Sequence, residues 1–143
     1  MKISTRGRYA IRVLLDLAEH NNGEYIPLMD IAKRQEISEK YLESIVSVLS
    51  KKKFVTALRG KGGGYRLART PEQYTIGSIL RLTEGSLAPV ACLEDQPNQC
   101  ERATTCKTLK MWEGCYKVIN EYFDGITLQD LLEQNTDMGD YVI

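Results

Sequence analysis

The chemistry-bearing residues of this chain fall in two places. Its four cysteines, Cys92, Cys100, Cys106 and Cys115, lie in one stretch. The first three follow the spacing Cys92-x7-Cys100-x5-Cys106. Thiolates are soft ligands, and three converging from a loop and a helix start suit a soft metal ion or an iron–sulfur cluster. The positive end of a helix N-terminus favours the thiolate form. The spacing is neither the paired C-x2-C of a zinc site nor the ferredoxin run. In a reducing compartment such a group is more often metal-binding or redox-active than a disulfide framework. On chemistry alone, three incidental cysteines read equally well. Cys115 stands nine residues past Cys106. At about 100° per residue that is the opposite helix face, where it packs as a small apolar group.

The second place is Arg59-Gly60-Lys61-Gly62-Gly63-Gly64. A glycine-rich tip carrying Arg59 and Lys61, with Arg66 just beyond, can press its backbone onto phosphates or into a minor groove. It is a poor nucleotide phosphate loop. The Gly60-Lys61 pair is followed by Gly62 rather than Ser or Thr, and the loop opens no helix. The single histidine, His20, belongs to no catalytic motif and reads as the cap of a helix end. No nucleophile–base pair is present, so an enzyme is not expected.

These residues need elements to position them. Ala10, Val13, Leu14, Leu17 and Ala18 form one apolar stripe and predict a helix over 7–19. Pro27 precedes a short helix over 28–34, and Gln35-Glu36-Ile37 reads as a tight turn. Ser38 is a candidate N-cap for a third helix to Lys51, with Leu42, Ile45, Val46 and Leu49 inward. Its other face carries Glu39, Lys40, Glu43, Ser44, Ser47 and Lys51. A buried back and a short polar front are what a major-groove recognition helix needs, although an ordinary amphipathic helix reads the same way. Phe54–Leu58 and Tyr65–Ala68 then predict the two strands of a hairpin around the glycine-rich tip. Helix-turn-helix followed by a basic hairpin points to DNA.

The rest predicts a helix over 75–84 closed by Gly85, a polar loop over 86–104, and a long helix over 105–123. Leu109, Trp112, Tyr116, Ile119 and Phe123 alternate at three and four residues and form an apolar seam. Such a seam pairs with its own copy or packs on the first domain. Thr127 with Asp130 reads as a capping box for a last short helix, and the tail 135–143 has no periodicity. The expected fold is mainly α with a small β-hairpin wing: a winged helix-turn-helix domain over 1–70, then a linker helix, a cysteine-bearing loop over 86–104, a long helix over 105–123 and a short C-terminal helix and tail within 71–143.

Charge follows the same division. Residues 1–69 hold 14 Lys/Arg against 7 Asp/Glu, and residues 70–143 hold 5 against 12, so a net charge of zero conceals a basic front and an acidic back. Such asymmetry favours a polyanionic partner for the front half, if only weakly by itself. The 143 residues suffice for a core without disulfide staples. No run approaches the ~20 apolar residues of a membrane span. The start, Met1 to Arg8, lacks a signal core, so a cytoplasmic location is expected.

Three segments, Lys2–Ala10, Ile37–Glu43 and Arg59–Tyr65, are similar to the Rrf-type winged-helix repressors, a family with iron–sulfur (IscR), nitric-oxide (NsrR) and cysteine-regulator (CymR) branches. The resemblance runs to about Glu133. It implies a homodimer on a pseudo-palindromic operator in double-stranded DNA, with 86–104 as the sensor loop and 105–123, through Leu109, Trp112, Tyr116, Ile119 and Phe123, as the dimerisation helix. It also implies that Ser38, Lys40, Tyr41, Glu43 and Ser44 face the major groove while Arg59 and Lys61 enter the minor groove. Lys2, Glu39, Gly60 and Gly62 complete the expected DNA-contacting set, and Glu43 is the candidate operator discriminator. Three cysteines in this loop resemble the cluster-binding branch, which implies a [2Fe–2S] or [4Fe–4S] cluster on Cys92, Cys100 and Cys106. The fourth ligand is unassigned, because the position of the family's histidine is Leu109 and that of its alternative aspartate is Arg8. The cysteine-regulator branch implies the alternative: no cluster, with a partner enzyme of cysteine metabolism or thiol oxidation as the signal.

Overall fold

The computed structural model describes residues 1–137. Helix α1 spans Thr5–Glu19 and starts two residues before the expected Gly7, because Ser4 caps it and accepts the Gly7 N–H at 3.0 Å. Helix α2 spans Leu28–Gln35 and stops where Glu36 turns left-handed at φ 55°. Helix α3 spans Glu39–Lys51, with Ser38 accepting the Tyr41 N–H at 3.2 Å as its cap. Strands β1 (Val55–Leu58) and β2 (Gly64–Leu67) pair antiparallel, with Val55 opposite Leu67 and Leu58 opposite Gly64.

Helix α4, Ile76–Glu84, is capped by Thr75 and closed by Gly85 at φ 80°. Helix α5 spans Leu109–Asp124 and begins later than the expected residue 105. Residues 100–105 instead make tight turns, with the Ala103 N–H on the Cys100 carbonyl and the Thr105 N–H on the Arg102 carbonyl. Thr104, Thr105 and Thr108 are β-branched hydroxyl residues that favour such local bonding over a first helical turn. Helix α6 spans Leu128–Asp137 and opens with the reciprocal bonds of Thr127 and Asp130, at 2.9 and 3.1 Å. Of the aperiodic tail, residues 135–137 continue α6 and residues 138–143 lie outside the described residues.

The core forms around α1, which packs on α2, α3, α4, α6 and β2. Val13, Leu14, Leu17, Ile31, Leu42, Ile45, Val46 and Leu49 interdigitate there with Ile79, Leu80 and Leu128, all at most 2% exposed. Residues on both sides of position 70 thus share one buried cluster. Tyr74 is fully buried, and its hydroxyl takes the Ala68 and Arg69 N–H groups at 3.1 and 3.2 Å while donating to the Phe54 carbonyl. One residue fixes where the hairpin ends and the second half begins.

The hairpin is joined to the body at its base. Ile26 and Tyr65 exchange two backbone hydrogen bonds of 2.8 Å. Gly64 lies where this junction is closest. A Cβ there would collide with the Ile26 carbonyl oxygen, and its φ is +153°.

Candidate functional site

Helix α3 presents its outer face as the sequence predicts. Ser38, Glu39, Lys40, Glu43 and Ser47 are exposed, while Tyr41 and Ser44 are half-buried at the helix start. A cleft separates this face from the hairpin, lined by Glu39, Glu43, Ser47, Leu58, Arg59 and Gly60. The tip turns on Gly60 (φ 90°) and Gly62 (φ 74°), closed by the Gly63 N–H on the Gly60 carbonyl at 3.0 Å. Arg59 and Lys61 stand exposed at that tip. Arg66, grouped with them in sequence, is engaged elsewhere. Its guanidinium lies 4.3 Å from the Tyr25 ring centroid and donates to the Gly23 carbonyl at 2.9 Å. It braces the hairpin rather than arming its tip.

Lys2 is exposed at the far end of α1. Beside it, the Ser4 backbone N–H and hydroxyl both donate to the Glu84 carboxylate, the latter at 2.7 Å. The N-terminal arm is thereby tied to the C-terminus of α4, where the cysteine-bearing loop departs.

Sequence reasoning missed the support behind α3. Asp16 is 1% exposed, and Arg34 grips its carboxylate through two hydrogen bonds of 3.0 and 2.7 Å. That bond holds the Arg34 pKa above its ordinary value. Gln35 donates to the same carboxylate at 2.8 Å and accepts from Arg12 Nε at 3.1 Å. The cue was a charged residue inside an apolar stripe, flanked by Val13 and Leu17. His20 does close α1 as expected, with Nδ1 2.9 Å from the Asp16 carbonyl oxygen.

The thiol loop is open. Cys92 is half-buried in a 3-10 turn over Ala91–Leu93. Cys100 is exposed in a turn where its N–H meets the Asn98 side-chain oxygen at 2.8 Å. Cys106 precedes the cap of α5, with its Sγ 3.3 Å from the Thr108 hydroxyl. That hydroxyl first, then the Thr108 backbone N–H, holds the Cys106 thiol below its ordinary pKa, and the Leu109 N–H and the charge of Arg102 add to the effect. All four cysteines are free. Among the described residues no three His, Cys, Asp or Glu side chains converge as a metal site, so the expected convergence of Cys92, Cys100 and Cys106 is not present within a single chain. As a donor set the three thiols fit a soft metal: they are free, two of them are exposed, and one is biased toward thiolate.

Helix α5 carries the expected seam, but the body of the same chain takes part of it. Tyr116, Ile119 and Phe123 pack against the core, whereas Leu109 and Trp112 do not join it. A second apolar stripe one face round, Met111, Val118 and Tyr122, is 57%, 65% and 64% exposed. The apolar arc thus covers about half the helix circumference, and α5 has no buried residue.

A capped recognition-type helix, a basic glycine-tipped hairpin welded beside it and a long apolar helix at the far end define a winged helix-turn-helix transcriptional regulator. The model of the Rrf2 family, described as iron-dependent transcriptional regulators, matches residues 3–134, and the chain belongs to that family. It is 39% identical to the protein rrf2 of Nitratidesulfovibrio vulgaris over 92% of this chain and 87% of that one. It is 36% identical to the HTH-type transcriptional regulator IscR of Aliivibrio salmonicida, over 94% and 79% of the two chains. Among solved structures it is similar to CymR, the global cysteine regulator of B. subtilis, with a TM-score of 0.75 and 34% identity over 94% of this chain and 98% of that one. These relatives are regulators, not enzymes.

Proposed function

We infer that the protein is a homodimeric repressor whose operator affinity follows the state of a [2Fe–2S] or [4Fe–4S] cluster held by Cys92, Cys100 and Cys106. The carrying observation is the three free thiols on one loop, two of them exposed, with Cys106 biased toward thiolate. The description of the family as iron-dependent supports the same reading. Lys and Arg of the basic front give salt-dependent phosphate contacts, while α3 and the Arg59–Gly62 tip read a pseudo-palindromic operator. The dimer joins through α5. On this reading the protein works in the cytoplasm and reports iron–sulfur, redox or nitric-oxide status. A bound cluster would cross-link the loop beyond Glu84 and so favour one spacing of the two α3 helices over another; a ligand indifferent to the two spacings would shift nothing.

A second reading is a cluster-free regulator of sulfur metabolism, governed by a partner enzyme or by thiol oxidation. The similarity to CymR and the absence of a gathered thiol site among the described residues favour it. Anaerobic purification, with absorbance spectra and iron and acid-labile sulfide counts per chain, separates the two. A brown protein with matched iron and sulfide is the expected result. A protein that stays colourless and iron-free after reconstitution overturns the cluster reading and leaves the second.

A further inference from the structure

Tyr41 lies in the first turn of α3, the part of a recognition helix that meets base edges. Its ring is set by a neighbour. Tyr9 of α1 meets it edge to face, with centroids 5.8 Å apart and planes at 85°. The Arg12 guanidinium covers the Tyr9 ring at 5.0 Å. Arg12 is itself fixed through two bonds to Gln35, one to its side-chain oxygen and one to its backbone carbonyl. Gln35 is the last residue of α2 and hangs on the buried Asp16 carboxylate. An unbroken run of contacts therefore leads from a charge anchored in the core to the turn between α2 and α3, and on to the face of one side chain at the groove.

We propose that Tyr9 and Arg12 are positioning residues for operator recognition, acting by holding the Tyr41 ring in one orientation toward the bases. The proposal rests on the reading of α3 as the recognition helix. A tyrosine turns about two side-chain bonds, and an edge-to-face partner backed by a fixed guanidinium restricts that freedom before DNA arrives. Discrimination between sequences depends on such preorganisation, whereas phosphate attraction depends on charge and tolerates rotation of a neutral ring. Tyr9→Leu removes the ring contact without changing net charge, so it acts on the first quantity and leaves the second.

The experiment uses the full-length protein and a randomised duplex library. Selection with the wild type defines a preferred duplex, and a scrambled duplex of equal composition serves as the non-specific probe. Dissociation constants for both are measured across a salt series. The expected result is a roughly tenfold fall in the scrambled-to-preferred ratio for Tyr9→Leu, with scrambled binding and salt slope unchanged. Tyr9→Phe retains the wild-type ratio. In a Tyr41→Ala background, Tyr9→Leu produces no further fall, because its route to DNA is gone. Arg12→Gln gives a smaller fall in the same direction and serves where Tyr9→Leu fails to fold. A wild-type ratio in Tyr9→Leu, a parallel loss on both duplexes, or an undiminished effect in the Tyr41→Ala background overturns the proposal alone. A wild type that binds no duplex overturns the recognition-helix reading and the proposal together.

Discussion

Gly64 has no room for a side chain, because the Ile26 carbonyl fills the place where one would begin. Gly64→Ala is expected to break the Ile26–Tyr65 junction and cost about 3 kcal/mol in urea unfolding. Gly62→Ala, at φ +74° with open space around it, should cost only about 1 kcal/mol. The sequence presents these glycines as equals in one run. Nothing local separates them, since the constraint on Gly64 comes from a distant residue across the bridge. The contacts of Arg66 were hidden for the same reason: its partners, Tyr25 and Gly23, lie on another turn. The exposed groups of the α3 face and the Arg59–Gly62 tip were legible, because helical period and turn chemistry are written locally. The separation of Cys92, Cys100 and Cys106, which the sequence led one to expect together, was not legible, because spacing along a loop does not fix distance across it.

At the level of elements, caps made the chain readable. Ser38, Gly85 and the Thr127–Asp130 pair mark their helix ends by side-chain chemistry alone. The start of α5 was misplaced because Thr108 makes no side-chain cap bond. What holds α5 to α4 is a clamp: Arg81 meets the Asp124 carboxylate with two bonds of 2.9 and 2.8 Å and reaches the Asn120 side chain at 2.9 Å. The Arg81 hydrogen bond holds the Asp124 carboxyl below its usual pKa. A lowered folded pKa means that this stabilisation is present above the unfolded value, near 4, and disappears as pH falls through the folded one. Both side chains are more than a third exposed, so the effect is at most about 1 kcal/mol. In thermal melts, Asp124→Asn should sit below wild type at pH 7, and the gap should close as pH drops below about 4.

Over the whole molecule, the half-circumference apolar arc of α5 is only partly covered by the described residues. Tyr116, Ile119 and Phe123 face inward, and Met111, Val118 and Tyr122 face out. If two chains join through α5 as proposed, Val118→Glu should give a monomer in sedimentation experiments while leaving the helical circular-dichroism signal in place. It should also weaken operator binding by about tenfold or more, since each chain then holds a single half-site. Periodicity revealed the seam but could not show which part of it the chain itself would cover. If two chains must meet before an operator is gripped, the number of molecules in the cell becomes an input of its own. Well below the dimer dissociation constant, operator occupancy rises with the square of chain concentration, and the melting temperature rises with concentration too. A regulator built this way answers to its own synthesis and degradation as steeply as to any ligand, and a promoter it represses would shut off abruptly rather than gradually as the protein accumulates.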